Sequence, residues 1–213
     1  MAETSGLARI VTEVIATGPA VLLKERGYRK AGTSFYQPAH VVRIINFQRS
    51  QWNDTGEHQF TINVSFFCQR FHTLWTGNAA PKNPCTVMPA LTQRIGRLMP
   101  HRLDHWWSVT AQTIPTELAA VVTAATRDYA LPWLERFATT QELAHFVLSR
   151  TRAESGAAND PKLVAAGLLA STGDKERALE LIATAKAEHE VSSKQRSWLP
   201  HIERFAQRIE HDL

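Results

Sequence analysis

VVRIINFQRSQW (Val41 to Trp52) and QFTINVSFF (Gln59 to Phe67) decide the fold of this chain. In the second segment Phe60, Ile62, Val64 and Phe66 alternate with Thr61, Asn63 and Ser65, the period of a strand whose side chains point to opposite faces in turn. In the first, Ile45 and Phe47 alternate with Asn46 and Gln48. Asn53, Asp54 and Gly56 between them are turn formers, so the two strands are read as an antiparallel hairpin. Setting Phe47 beside Ile62 and Ile45 beside Val64 buries one apolar face. Asn46 then stands beside Asn63, and Gln48 beside Thr61. A slip of one residue would turn the apolar set to solvent, so the polar ladder follows from the apolar one.

Upstream, Leu7, Ile10, Val11, Val14 and Ile15 recur at helical spacing, and Val21 and Leu22 continue them beyond Gly18 and Pro19. One helix, broken or kinked at the proline, is expected to end near Arg26, where Lys24, Arg26 and Gly27 make a favourable C-terminus. YRKAGTSFYQP then reads as two short strands around Gly32. Downstream, Thr76 to Pro84 is a loop by composition. Met88, Leu91, Ile95 and Leu98 are spaced as a helix that stops before Pro100. Leu118, Val121, Val122 and Ala125 give another, with Pro132 as a boundary.

Thr139 and Glu142 have the spacing of a capping box ahead of Leu143, Phe146 and Val147. Ser155 to Pro161 is a linker by composition. Two helices, Pro161 to Ser171 and Asp174 to His189, join at Thr172 and Gly173, and a last one runs from Ser193 towards Ile209. The expected fold is α+β: an antiparallel sheet of about four strands packed by helices over residues 1–138, then an all-helical extension over 139–213.

Charge is uneven along the chain. Residues 1–138 hold 14 Lys and Arg against 9 Asp and Glu, a net of +5, whereas 139–213 hold 10 against 11, a net of −1. Arg26 to Arg102 alone has ten basic and two acidic residues, a net of +8, centred on the hairpin. Such a field suits an acidic protein or another anionic partner. No apolar run is read as reaching the roughly 20 residues of a membrane span. MAETSGLARI lacks the profile of a signal peptide. Cys68 and Cys85 are the only cysteines and form no disulfide framework, so a cytoplasmic setting is expected.

An ordered set of segments resembles the bacterial domain-of-unknown-function 4304 family over roughly residues 5–138. They are KERGYRK (Lys24 to Lys30), SFYQ (Ser34 to Gln37), IINFQRSQW, FTINVSFF, Cys85, Arg94–Gly96 and the pair Trp106–Trp107. Tyr28 stands where that family more often has phenylalanine. The resemblance carries no catalytic residue, but it marks Asn46, Gln48, Asn63, Arg94 and Trp106 as pattern positions. LVAAGLLASTGDKERALELIATAK, outside it, is similar to one tetratricopeptide-type helical hairpin.

The candidate binding residues are Asn46, Gln48, Thr61 and Asn63 on the polar ladder, with Arg43, Arg49, Trp52 and Arg94 around it. Amides and hydroxyls both donate and accept hydrogen bonds, and arginine grips carboxylates or phosphates in bidentate fashion. The same ladder also suits a solvated or internally satisfied sheet face. His101 and His105 with Asp104 would share a helical face, yet a third ligand is missing, so no metal site and no cofactor are expected. Trp106 and Trp107 suit core packing or base stacking, and Trp52 and Trp75 suit an interface. No nucleophile elbow, phosphate loop or dinucleotide fingerprint is present, and no catalytic residue is assigned. The sequence therefore points to a non-enzymatic binding module, with which an immunity or adaptor role is compatible. Single-stranded nucleic-acid binding and a small-molecule enzyme built around Arg94, Asn46 and Asn63 are the alternatives.

Overall fold

A computed structural model describes residues 6–192 and 195–211; Ser193, the expected start of the last helix, lies outside the described residues. Helix α1 (Gly6–Thr17) breaks at Gly18 and resumes as α2 (Pro19–Glu25), as the proline requires. Strands β1 (Arg29–Ala31), β2 (Ser34–Gln37), β3 (Val41–Arg49) and β4 (His58–Cys68) follow. Next come α3 (Gln69–Thr76), β5 (Leu91–Arg94), the single turn α4 (Ile95–Leu98) and β6 (Trp107–Val109). The rest is helical: α5 (Pro115–Ala125), α6 (Leu131–Glu135), α7 (Thr140–Leu148), α8 (Arg152–Ser155), α9 (Pro161–Ala170), α10 (Lys175–Val191) and α11 (Leu199–His211).

The fold is α+β, with a sheet ordered β1-β2-β3-β4-β5 and β6 paired to β4. β1 and β2 pair antiparallel about the left-handed Gly32, and Phe35 faces Ile45 across β2 and β3. The Ser50 N–H donates to Gln59 O at 2.9 Å. An unbroken ladder from that bond sets Phe47 opposite Ile62 and Asn46 opposite Asn63, as the alternation requires. β6 lies along the other edge of β4, with Phe60 opposite Trp107.

Three expectations need correction. The helix expected from Met88 to Leu98 is β5 followed by one helical turn. Leu91, Gln93 and Ile95 alternate inward as well as Leu91, Ile95 and Leu98 recur, and the open edge of β4 decides between the two patterns. Ala90 N–H donates to Phe66 O at 2.8 Å, which sheet pairing provides and a helix would not. Pro132 is not a boundary either. The chain widens into a π turn over Thr126–Ala130, and Pro132 sits in the first turn of α6 beyond it. A proline removes one donor and crowds the carbonyl a turn earlier, and a wider turn gives that carbonyl room. Lastly, the 20-residue stretch Gly6–Glu25 contains an 18-residue window of mean hydropathy 1.5, long and apolar enough for a bilayer by length and composition. Here 44% of that window is buried, with Val11, Val14 and Leu23 fully enclosed.

Two compact units share the chain in alternating segments. The first takes residues up to Ala39, Arg43–Ser65 and Gln93–Arg136; the second takes His40–Val42, Phe66–Thr92 and the chain from Phe137 onward. In the first, α1 packs on α5. Gly18 permits close approach of α2 to α5: a Cβ there would lie 2.7 Å from Ala119 O. In the second, α9 is buried from Leu163 to Ala170 and packs against α7, α10 and α3. The capping box of Thr139 and Glu142 opens α7 as the sequence specifies.

Candidate functional site

The hairpin β3–β4 distributes the candidate residues over two faces and a tip. Asn46, Gln48, Thr61 and Asn63 share one face by alternation, and most of their polar atoms are already engaged. Asn46 Nδ2 donates to Ser34 Oγ at 2.9 Å and to Thr33 Oγ1 at 3.3 Å. Asn63 Nδ2 donates to Gln48 Oε1 at 2.7 Å. Thr61 is wholly buried, and its hydroxyl donates to His105 O at 2.7 Å. The ladder is therefore an internal hydrogen-bond network in which amides and hydroxyls satisfy one another and a neighbouring loop.

Arg43 and Arg49 have the parity of Ile45 and Phe47, so they lie at the two ends of the opposite, apolar face. Arg49 Nη2 donates to Thr12 Oγ1 at 2.8 Å and to Ala8 O at 3.3 Å, tying β3 to α1. Arg43 Nη1 donates to Gln37 Oε1 at 3.1 Å, and Gln37 Nε2 donates to Arg26 O at 3.0 Å. Tyr28 lies in this basic corner. Burial pushes its hydroxyl up to about 12, against the pull of Arg43 and Arg26 and with the push of Glu135.

Arg94 forms a cluster with Asp104 and Trp106. Its Nη1 donates to Asp104 Oδ2 at 2.8 Å, Trp106 Nε1 donates to the same oxygen at 3.0 Å, and the guanidinium lies 4.9 Å from the Trp106 ring centroid. Burial alone would raise Asp104, but the bonds from Trp106 and Arg94 outweigh it and hold the carboxyl below its usual range. Gly96 makes the loop behind this cluster possible, because a Cβ there would fall 2.2 Å from Leu103 O and 2.7 Å from His105 N. His101 and His105 stack at 5.6 Å between ring centroids, outside any helix. Among the described residues, no group of three or more His, Cys, Asp or Glu could hold a metal ion.

Trp52 meets solvent. It is 83% exposed at the tip of the hairpin, on a loop that is itself well tied. Asn53 acts as a surrogate strand residue: its Oδ1 accepts from Gln59 N at 2.7 Å and its Nδ2 donates to Gln59 O at 3.2 Å. Asp54 Oδ1 accepts from Gly56 N and Glu57 N at 2.8 and 3.0 Å, and those backbone donors lower its carboxyl. The indole is thus offered on a fixed support. Trp75 lies in the last turn of α3, next to the loop that follows, with His201 edge-on at 4.3 Å and Phe205 at 5.0 Å between ring centroids. Trp107 is core and pairs with Phe60 at 5.5 Å.

Two of the cavities in the second unit draw together residues far apart in the sequence. One, of about 230 Å³, is walled by Phe67, Phe71, His72, Met88 and Pro89. The other, of about 300 Å³, is lined by Trp75, Arg152, Asn159, Asp160, His189 and Trp198 among others. Asp160 caps α9, and folding brings it to His189, at the far end of α10.

These geometries belong with a known domain. A family model described as Domain of unknown function (DUF4304) matches residues 20–136, from α2 through α6. The chain belongs to this family. No curated protein and no solved structure matches it.

Proposed function

We propose that this chain is a non-enzymatic binding module for an acidic protein, with the contact centred on the tip of the β3–β4 hairpin. Trp52 carries this reading: a large aromatic, 83% exposed on a hydrogen-bonded loop, within a stretch of ten basic and two acidic residues. Exposed tryptophan is the residue type that most often anchors an interface, and the net charge of +8 from Arg26 to Arg102 steers an acidic partner to this part of the chain. Arg29 and Lys30 on the edge strand β1 are exposed and add to that field. The polar ladder supports the tip from within, as the scaffold that fixes its register. The low cysteine count supports a cytoplasmic setting.

The test is affinity capture from a lysate of the source cells, with and without nuclease, comparing the native chain with Trp52→Ala and with Arg29→Glu/Lys30→Glu. A protein retained after nuclease and lost in both variants supports the reading. A captured set that is the same for all three overturns it. The exposed indole within the basic stretch also favours single-stranded nucleic acid as a second reading, in which bases stack on Trp52. Recovery that disappears with nuclease and falls steeply with salt would select it.

A further inference from the structure

The cavity of about 300 Å³ in the second unit contains an unmet hydrogen-bonding demand. His189 is 5% exposed, and its Nε2 makes no hydrogen bond in the structure. Its other nitrogen, Nδ1, lies 3.4 Å from Gln195 O. A backbone carbonyl only accepts, so Nδ1 donates in this contact, and in the neutral ring Nε2 then presents a lone pair. That lone pair faces Asp160 Oδ2 at 3.4 Å, near enough to interact and without hydrogen-bond geometry. Asp160 Oδ1 is committed elsewhere, accepting from Lys162 N at 2.8 Å as the cap of α9. A buried and a half-buried acceptor therefore look at each other, an arrangement that calls for a donor both can share.

The other walls say what that donor belongs to. Trp75 and Trp198, with ring centroids 6.4 Å apart and planes inclined by 28°, supply an apolar side on which a cation or a ring can rest. Leu163 and Pro161 extend it. Arg152 stands on the same lining, its plane fixed by bonds from Nη2 to Ala158 O at 2.8 Å and from Nε to Ala157 O at 3.4 Å. Nη1 is the nitrogen left to meet an anion. A lone cation would be repelled by Arg152 and a lone anion by Asp160.

We propose that this cavity binds a free amino acid with an apolar or aromatic side chain. Its ammonium donates to Asp160 Oδ2 and His189 Nε2, its carboxylate meets Arg152, and its side chain lies along Trp75, Trp198 and Leu163. A cavity of this volume with a few convergent polar groups is of the size that small ligands use. The site lies outside the family match at residues 20–136 except for Trp75, and it is independent of the Trp52 surface.

Calorimetric titration with L-phenylalanine, L-tryptophan and L-leucine, paired with tryptophan fluorescence, tests the assignment. Two truncated probes accompany them: phenethylamine, which lacks the carboxylate, and hydrocinnamate, which lacks the ammonium. At least one amino acid should bind with a Kd of about 1 mM or tighter, and each truncated analogue should bind at least roughly tenfold more weakly. Asp160→Asn keeps a good helix cap while removing the charge, so it should fold normally and lose roughly tenfold in affinity. Trp198→Ala, at a position 44% exposed, should weaken binding without unfolding the chain. The proposal is overturned by no heat or fluorescence change with any of the three amino acids. It is equally overturned by a truncated probe that binds as well as its parent, or by affinity unchanged in both variants.

Discussion

Thr61 shows how a residue that reads as surface becomes interior. Its side chain alternates with the apolar set, yet it is fully buried and its hydroxyl closes on His105 O at 2.7 Å. Thr61→Val keeps the shape and removes the donor, leaving a carbonyl without its partner. We expect a loss of about 1–3 kcal/mol, read from the denaturant midpoint. Tyr28 gives a second handle at this scale. Its folded value of about 12 lies above the ordinary 10.0, so the native state keeps its proton where the unfolded chain has lost it. The associated stability is complete below the unfolded value and declines as pH rises from 10.0 towards about 12. The decline amounts to about 2–3 kcal/mol. Tyr28→Phe should lack that slope. Parallel curves for the two proteins through the alkaline range would refute the assignment.

Among elements, the legible part of the fold is the part where local pattern and long-range pairing agree. β3 and β4 carry strict alternation, and α7 carries its own capping box, so neighbours only reinforce them. β5 was illegible because Leu91, Gln93 and Ile95 fit two periods, and the choice rests on the β4 edge, far away in sequence. β6 is three residues long, too short to show a period. The candidate site divides along the same line. The common face of Asn46, Gln48, Thr61 and Asn63 followed from alternation, whereas their partners, such as Thr33, Ser34 and the His105 carbonyl, come from other segments. Helix α9 offers a direct test of packing between elements. A Cβ at Gly167 would lie 2.1 Å from Phe71 Cδ2, so Gly167→Ala should cost about 1–3 kcal/mol through overpacking against α3. In a Phe71→Leu background the penalty should shrink. Additive melting shifts would show that the two side chains do not compete for that space.

Taken whole, the molecule relies on contacts between distant parts of its chain. Arg208 Nη1, near the end of α11, donates to Leu74 O and Trp75 O at 2.9 and 3.0 Å, the last carbonyls of α3. Its guanidinium also lies under the left-handed Gly77 that ends that helix. A helix C-terminus leaves carbonyls without intrahelical partners, and here an arginine from far along the sequence supplies two of the donors. Arg208→Met should raise amide exchange in Phe71–Gly77 selectively, with the hairpin of β3 and β4 unchanged. Uniform acceleration across the chain would mean that the residue serves global stability instead.

The alternation of the two units along the chain also orders events during synthesis. A ribosome releases the segments of the first unit in full once Arg136 has emerged. The segment Phe66–Thr92 of the second must wait for the helices from Phe137 onward, and α3 waits longest, for Arg208. Until then Phe71 and Trp75 lack Phe205, the aromatic partner that α11 brings. The nascent chain thus carries a waiting hydrophobic segment through the translation of the last third of the protein, a natural point for chaperone engagement.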